Sequence, residues 1–342
     1  MTRRPLGPLT RNAEAPLLLE SFLVAAVASF LGIRSFLALT GYPQVGSNGI
    51  HIAHMLWGGL LMLVALMLLL AFLDRPVEHV AAVIAGLGFG TFIDEIGKFV
   101  TSDNNYFYRP AIALIYGVFI AAFLIGRTLI GNPRVLSRQE ALANALHLLA
   151  GNLDRPIEPG DRARIQRLLG LAEPTPAISQ FVQGYLARVP ESAAHETPVA
   201  RLDHRLSDGY ERLMAHPWAE RALVVGVVAY AVAAMLGVTI VAASTPVDPT
   251  GQTSAFATTA QLVSTIVGAS CVALGVVRLR RSRAAAYHWF MRGLLVWILV
   301  TQVFVFYSSQ LAGLGGLVVD LVAYGSLRFA LARETVGGRG RP

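Results

Sequence analysis

Cysteine is all but missing from this chain: Cys271 is the only one in 342 residues, and it falls inside an apolar run. A single thiol excludes an intrachain disulfide framework and every cysteine-based metal site. Lysine is as scarce, since Lys98 is the only one among 28 basic residues. Charge in general is thin, at 14% of residues against 54% hydrophobic, a balance no soluble domain carries without aggregating. The alternation of polar and apolar residues that marks a transmembrane β-barrel is absent too. So is a small-residue cleavage pattern after the first apolar run, which reads as a retained first span rather than a signal peptide. No internal repeat links the two halves, and low complexity is confined to the "GGRGRP" tail.

What remains is long apolar runs. Eight of them, at roughly 16–40, 50–73, 77–100, 109–130, 218–243, 256–277, 287–309 and 311–327, are long enough to cross a hydrocarbon core of about 30 Å as helix. The predicted fold class is all-α, a polytopic helical membrane protein whose first partner is the lipid bilayer. The formal charge of +7 does not point to nucleic acid, because the arginines cluster at the ends of apolar runs. Arg3, Arg4 and Arg11 precede the first run, Arg278, Arg280, Arg281 and Arg283 separate the sixth from the seventh, and Arg328, Arg333, Arg339 and Arg341 lie at or beyond the end of the eighth. With an even number of spans these fall on one side, which the positive-inside rule makes cytoplasmic. An inner (cell) membrane location with both termini cytoplasmic is the expected result.

The predicted organisation is 1–130 as four spans, 131–217 as a cytoplasmic helical insertion, 218–333 as four further spans and 334–342 as a disordered tail. Within the insertion "SRQEALANALHLLAGN", "DRARIQRLLGLAE" and "VARLDHRLSDGYERLMAH" are amphipathic patterns bounded by Gly and Pro. Its histidines follow no ligand spacing, so it reads as a solvated helical module or a docking point for a protein partner.

The third run ends unusually, in "GTFIDEIGKFVTSDNNYFYRP". Asp94, Glu95 and Lys98 lie about 10 Å below the external end of that span at 1.5 Å per residue. "GIHIAH" opens the second span from the same surface and puts His51 and His54 three apart on one helix side. Ionisable groups at such depth are costly unless they face protein or water, which makes them a functional-site hypothesis. Gly86, Gly90, Asp94 and Gly97 share one stripe, which lets a neighbouring backbone approach and turns Asp94 inward. Glu95, about 100° further round, faces a different sector.

Two chemistries fit these residue types. His51, His54, Glu95 and Asp103 are ligands that a divalent metal accepts. Without metal, Asp94, Glu95, His54 and Lys98 supply acids and bases for proton transfer. Arg34 and Arg109 are candidate phosphate partners, and Asn104, Asn105 and Tyr106 are candidate substrate contacts in the external loop. Tyr106, with Phe107 and Tyr108, reads equally as an interfacial aromatic belt.

The order "GSNGIHIAH", an apolar helix, "GFGTFIDE" and a loop with "SDNN" resembles the VanZ-like membrane proteins over about residues 47–120. In that family a histidine opens one span, a glutamate closes the next and a polar loop carries an aspartate; His51 or His54, Glu95 and Asp103 match those positions. The chain lacks the family's Asp-Lys before the histidine and its Arg-Ser loop, and it adds Asp94, Lys98, four spans and the insertion. The resemblance implies a bacterial cell-envelope setting. The first reading of the sequence is an enzyme acting at the outer leaflet on a lipid-linked or amphiphilic substrate; a proton- or ion-coupled transporter using Asp94, Glu95, Lys98 and Asp320 ranks below it, because only Asp320 and Gln302 lie on a route to the cytoplasm, and a non-catalytic scaffold or sensor is the third.

Overall fold

The computed structural model describes residues 9–41, 53–103, 108, 110–130, 136–153, 156–192, 209, 212, 216–244 and 252–337. It is helical throughout, and among the described residues the only β-type pairing is an isolated bridge between Ile157 and Glu191. Seven helical stretches are long and apolar enough to cross a membrane, one fewer than the eight runs of the sequence. The difference lies in the last stretch, Arg283–Leu331, whose 49 residues form one unbroken run of helical types. At 1.5 Å per residue that is more than twice the length one crossing needs. The run turns at Gln310, a non-glycine residue at φ 49°, and Leu314–Gly337, after the turn, packs back against Arg283–Val296.

The chain divides into two compact units, Met1–Tyr106 with Ala121–His195, and Phe107–Ile120 with Glu196–Pro342. The first is built on α1 (Ala15–Thr40), α2 (His54–Ala71) and α3 (Arg75–Ile93), with the short α4 (Ile96–Val100) continuing α3. Helix α3 is the middle of three, and glycine places it there. A Cβ on Gly86 would stand 2.2 Å from the Phe22 carbonyl oxygen of α1, and one on Gly90 would stand 2.1 Å from that of Ala26. On the opposite side Gly58 of α2 and Gly88 approach backbone to backbone, at 2.6 and 2.7 Å from each other's carbonyl oxygens by the same measure. In lipid, where apolar burial drives little, such close approach lets dispersion and interhelical polar contacts hold helices together. Ser29 adds one, donating to the Leu87 carbonyl at 2.9 Å beside the Thr91 hydroxyl. The outward faces carry leucine, valine and phenylalanine exposed as a lipid-facing surface requires, Leu66, Met67 and Leu70 among them.

At the opposite end of this unit sit α6 (Arg138–Ala150), α7 (Pro159–Ala172) and α8 (Pro176–Arg188). The first two match the sequence patterns. Helix α8, "PAISQFVQGYLAR", was not among them, and the third pattern at 199–216 lies almost wholly outside the described residues. Ala141, Leu148, Ile157, Ile165, Leu168, Val182 and Leu186 give the three helices a core of their own. Ser137 starts α6 with a reciprocal capping box to Glu140. Charge joins this module to the spans. Arg75, at the start of α3, pairs with Glu14 and with Asp161 (2.7 Å), Arg164 reaches Glu14 at 2.6 Å, and Arg11 holds Glu140 at 2.7 Å. The insertion therefore packs on the ends of α1 and α3.

The second unit holds α9 (Pro217–Ser244), α10 (Gln252–Leu279), α11 (Arg283–Val296), a π-helical turn (Trp297–Thr301), α12 (Gln302–Ser309), a 3-10 turn (Gln310–Gly313) and α13 (Leu314–Gly337). It also holds the first half of α5 (Ala111–Ile130), where Tyr116 donates its hydroxyl to the Ile298 carbonyl at 2.6 Å. Tyr287, Phe290, Leu294, Trp297 and Leu327 are buried at its centre. Arg283 sits 3.2 Å from Glu220 and 3.6 Å from Glu334, clasping the arginine-rich end.

Candidate functional site

The glycine stripe of α3 leads directly to the site. Gly86 and Gly90 rest on α1, and Asp94, four residues on, meets Arg34 of the same helix. Gly88 rests on α2, and Glu95, just past the end of α3, meets the start of α2. The two carboxylates pair with different cations, Arg34 and Lys98, yet both also meet His54 at the start of α2, which a 100° separation alone does not predict. Both are fully buried, at 0% exposure.

The sequence predicts one continuous helix to about residue 100, and here the structure differs. Helix α3 stops at Ile93, Asp94 and Glu95 form a turn, and α4 restarts at Ile96. Glu95 has φ −87° and ψ 8°, and its carbonyl accepts from Lys98 N at 2.9 Å, a tighter closure than the helical one. Arg34 compensates. Its Nη2 donates to the Asp94 carbonyl oxygen at 3.0 Å while its Nε donates to the Asp94 carboxylate. One guanidinium thus caps the break and neutralises the acid beside it.

His54 joins the two acids. Its Nε2 lies 2.9 Å from Asp94 Oδ2 and its Nδ1 lies 3.3 Å from Glu95 Oε1. Glu95 is held further by Lys98 Nζ at 2.6 Å and by the backbone N–H of Met55 at 3.3 Å. The result is one connected line of charge: Arg34, Asp94, His54, Glu95, Lys98. A neutral imidazole carries hydrogen on one nitrogen only, so its other nitrogen would face a carboxylate lone pair against lone pair. Both contacts are favourable when the ring is doubly protonated or when one acid holds a proton. The arrangement can accommodate one proton beyond those of Arg34 and Lys98.

Burial divides the line. Asp94, Glu95 and Arg34 are enclosed, whereas the side chains of His54 and Lys98 keep 27% and 23% of their surface exposed. His54 and Lys98 are thus the members of the line that reach the surface. Arg34, a candidate phosphate partner in the sequence, is paired here with the carboxylate and carbonyl of Asp94. Asp103 is exposed on the turn after α4. His51, Asn104, Asn105, Tyr106 and Arg109 lie outside the described residues. Among the described residues no three His, Cys, Asp or Glu side chains are set to hold a metal ion, and both ring nitrogens of His54 already face carboxylates. Asp320 lies in the second unit, 2% exposed in α13.

Sequence reading missed the break at Asp94-Glu95 and the Met55 backbone donor. Neither carries a residue signal, since the break follows from what Arg34 offers across the helix pair. Searches against protein-family models, curated proteins and solved structures find no match, and the site is read from its own chemistry.

Proposed function

We propose that this integral membrane protein is a proton-coupled carrier, with His54 passing a proton between Asp94 and Glu95. The observation that carries the reading is the placement of one imidazole between two fully buried carboxylates, each already paired with a cation. Such a group is neutral overall with a neutral imidazole and carries one positive charge when a proton is added, with that charge held between two carboxylates. A helix broken at ionisable residues within a span is a recurrent feature of carriers, because the break lets side chains and backbone change partners. Under the positive-inside orientation the site lies in the outer half of the membrane, with both termini cytoplasmic.

A second reading has its own observation in the exposure of His54 and Lys98. An enzyme acting on a lipid-linked or amphiphilic substrate in the outer leaflet would use His54 as general base. The VanZ-like pattern, with its cell-envelope setting, sits with either reading.

A pH jump on full-length protein adsorbed to a solid-supported membrane tests the carrier. The expected result is a transient charge displacement that disappears in His54→Gln and Glu95→Gln and persists in Asp103→Asn. An unchanged transient in His54→Gln contradicts the proposal. Turnover of an amphiphilic substrate by protein that gives no transient at all favours the enzyme.

A further inference from the structure

The second unit contains a cavity of about 480 Å³ at the end of its bundle opposite the Arg283 clasp, where α9 ends and α10 and α13 begin. That volume falls in the range of small-molecule sites. Asp320 lines it, 98% removed from solvent, and its Oδ1 has no hydrogen-bond partner among the described residues. A buried acceptor left unmatched costs about 1–3 kcal/mol, more if charged, and calls for an occupant or a role.

The walls say which occupant. Tyr230 and Trp297 meet edge to face at 5.4 Å between ring centroids and both line the cavity. The Tyr230 hydroxyl is a hydrogen-bonding neighbour of the Asp320 carboxyl. Trp297 is fixed there: its indole N–H donates to the Thr265 carbonyl at 3.3 Å, and Gly268 leaves the room its ring needs, since a Cβ there would come within 2.1 Å of Nε1. It opens a π-helical turn that closes at Thr301, whose hydroxyl donates to Ser264 at 2.9 Å. π-Helical turns concentrate at functional sites because the extra residue re-aims side chains. Gln302 donates Nε2 to the Gly313 carbonyl at 2.7 Å, and both residues line the cavity.

We propose that this cavity binds an organic monocation, a protonated amine or quaternary ammonium, with Asp320 as counter-ion and the Tyr230 and Trp297 rings as walls. A carboxylate beside two aromatic rings is the combination that attracts such cations, by charge and by the ring quadrupoles together. A bare calcium or magnesium ion would need about six or more oxygens closing on it, and a space of this size is far too wide for that. The inference stands independently of the His54 relay, since it rests on the second unit alone.

Binding of radiolabelled benzyltrimethylammonium to the full chain in detergent micelles tests it. Saturable binding is expected in the unmodified protein, at least tenfold weaker in Asp320→Asn and retained in Asp320→Glu. Gly316→Leu is a second variant. A Cβ there stands 3.6 Å from the Tyr230 hydroxyl and 3.9 Å from Gln302 Oε1, ordinary contacts, so leucine fills the cavity rather than disrupting the helix and should abolish binding. Tetramethylammonium is expected to compete where equal sodium does not. No saturable binding, equal affinity in Asp320→Asn or Gly316→Leu, or displacement by equal sodium overturns the proposal.

Discussion

His54 Nε2 and Asp94 Oδ2, forty residues apart in sequence, meet at 2.9 Å, and the other ring nitrogen of the same histidine meets Glu95. One imidazole thereby bridges two adjacent acids that their own helix turns toward different neighbours. Everything else at the site serves that bridge: Arg34 caps the break that separates the acids, and Lys98 balances the second of them.

Removing Arg34 leaves the break uncapped and Asp94 short of its main cation. Arg34→Met is expected to destabilise the protein by about 3–5 kcal/mol, the usual cost of leaving a buried charge behind. Arg34→Met with Asp94→Leu should recover most of the loss. Thermal unfolding of the purified variants in one detergent measures both, and additive losses would mean that the two side chains do not depend on each other.

Glycine on α3 acts by contact, and its contribution has a sign that can be checked. In an exposed helix interior Gly→Ala stabilises by up to about 1 kcal/mol. Gly117 of α5 has nothing within 4 Å of a new Cβ and should follow that rule. At Gly90 the new carbon would stand 2.1 Å from the Ala26 carbonyl oxygen, so alanine must push α1 and α3 apart. Gly90→Ala is expected to lower the melting temperature while Gly117→Ala raises it or leaves it unchanged.

Much of this arrangement is legible in the sequence because helical geometry is rigid. The stripe Gly86, Gly90, Asp94 predicts a close helix contact with Asp94 at its end, and the 100° step separates Glu95 from it. Depth arithmetic brings His54 level with both acids. What the sequence does not carry is partner choice across helices: nothing in "LGIRSF" says that Arg34 will take a backbone carbonyl as well as a carboxylate. The turn at Gln310 and the π-turn at Trp297 are equally silent, since both arise from packing within the second unit. Helix α8 escaped notice for a different reason, because "PAISQFVQGYLAR" buries only Val182 and Leu186 and shows a narrow apolar stripe.

The docking of the insertion depends on pH with a definite sign. Burial works to raise the Glu14 carboxyl, but Arg75 and Arg164 outweigh it and hold the group below its ordinary value. The Arg11 hydrogen bond does the same for Glu140. A carboxylate depressed in the folded state contributes stability that is complete above its unfolded pKa of about 4.3 and is lost as pH falls through the folded value. Proteolysis of 138–188 in the full chain should therefore be unchanged from neutral pH down to about 5 and increase only under stronger acid. Arg11→Glu should loosen the insertion at neutral pH, and Arg11→Glu with Glu140→Arg should restore it.

The orientation is open to a direct check. With Cys271 replaced by alanine, a cysteine placed at Asp103 is expected to react with a membrane-impermeant thiol reagent from outside intact cells. Labelling only after the cells are opened would put the site at the cytoplasmic face and reverse the topology.

The sharing of a proton by His54, Asp94 and Glu95 is tested most directly by pH-difference infrared spectroscopy of the full chain in lipid bilayers. Imidazole and carboxylic-acid bands are expected together in one difference spectrum, with the carboxylic-acid change altered in Asp94→Asn and Glu95→Gln; of the imidazole change of the eight histidines, only the part owed to His54 is lost in His54→Gln. A spectrum in which His54→Gln leaves every carboxyl and imidazole band as it was would contradict it.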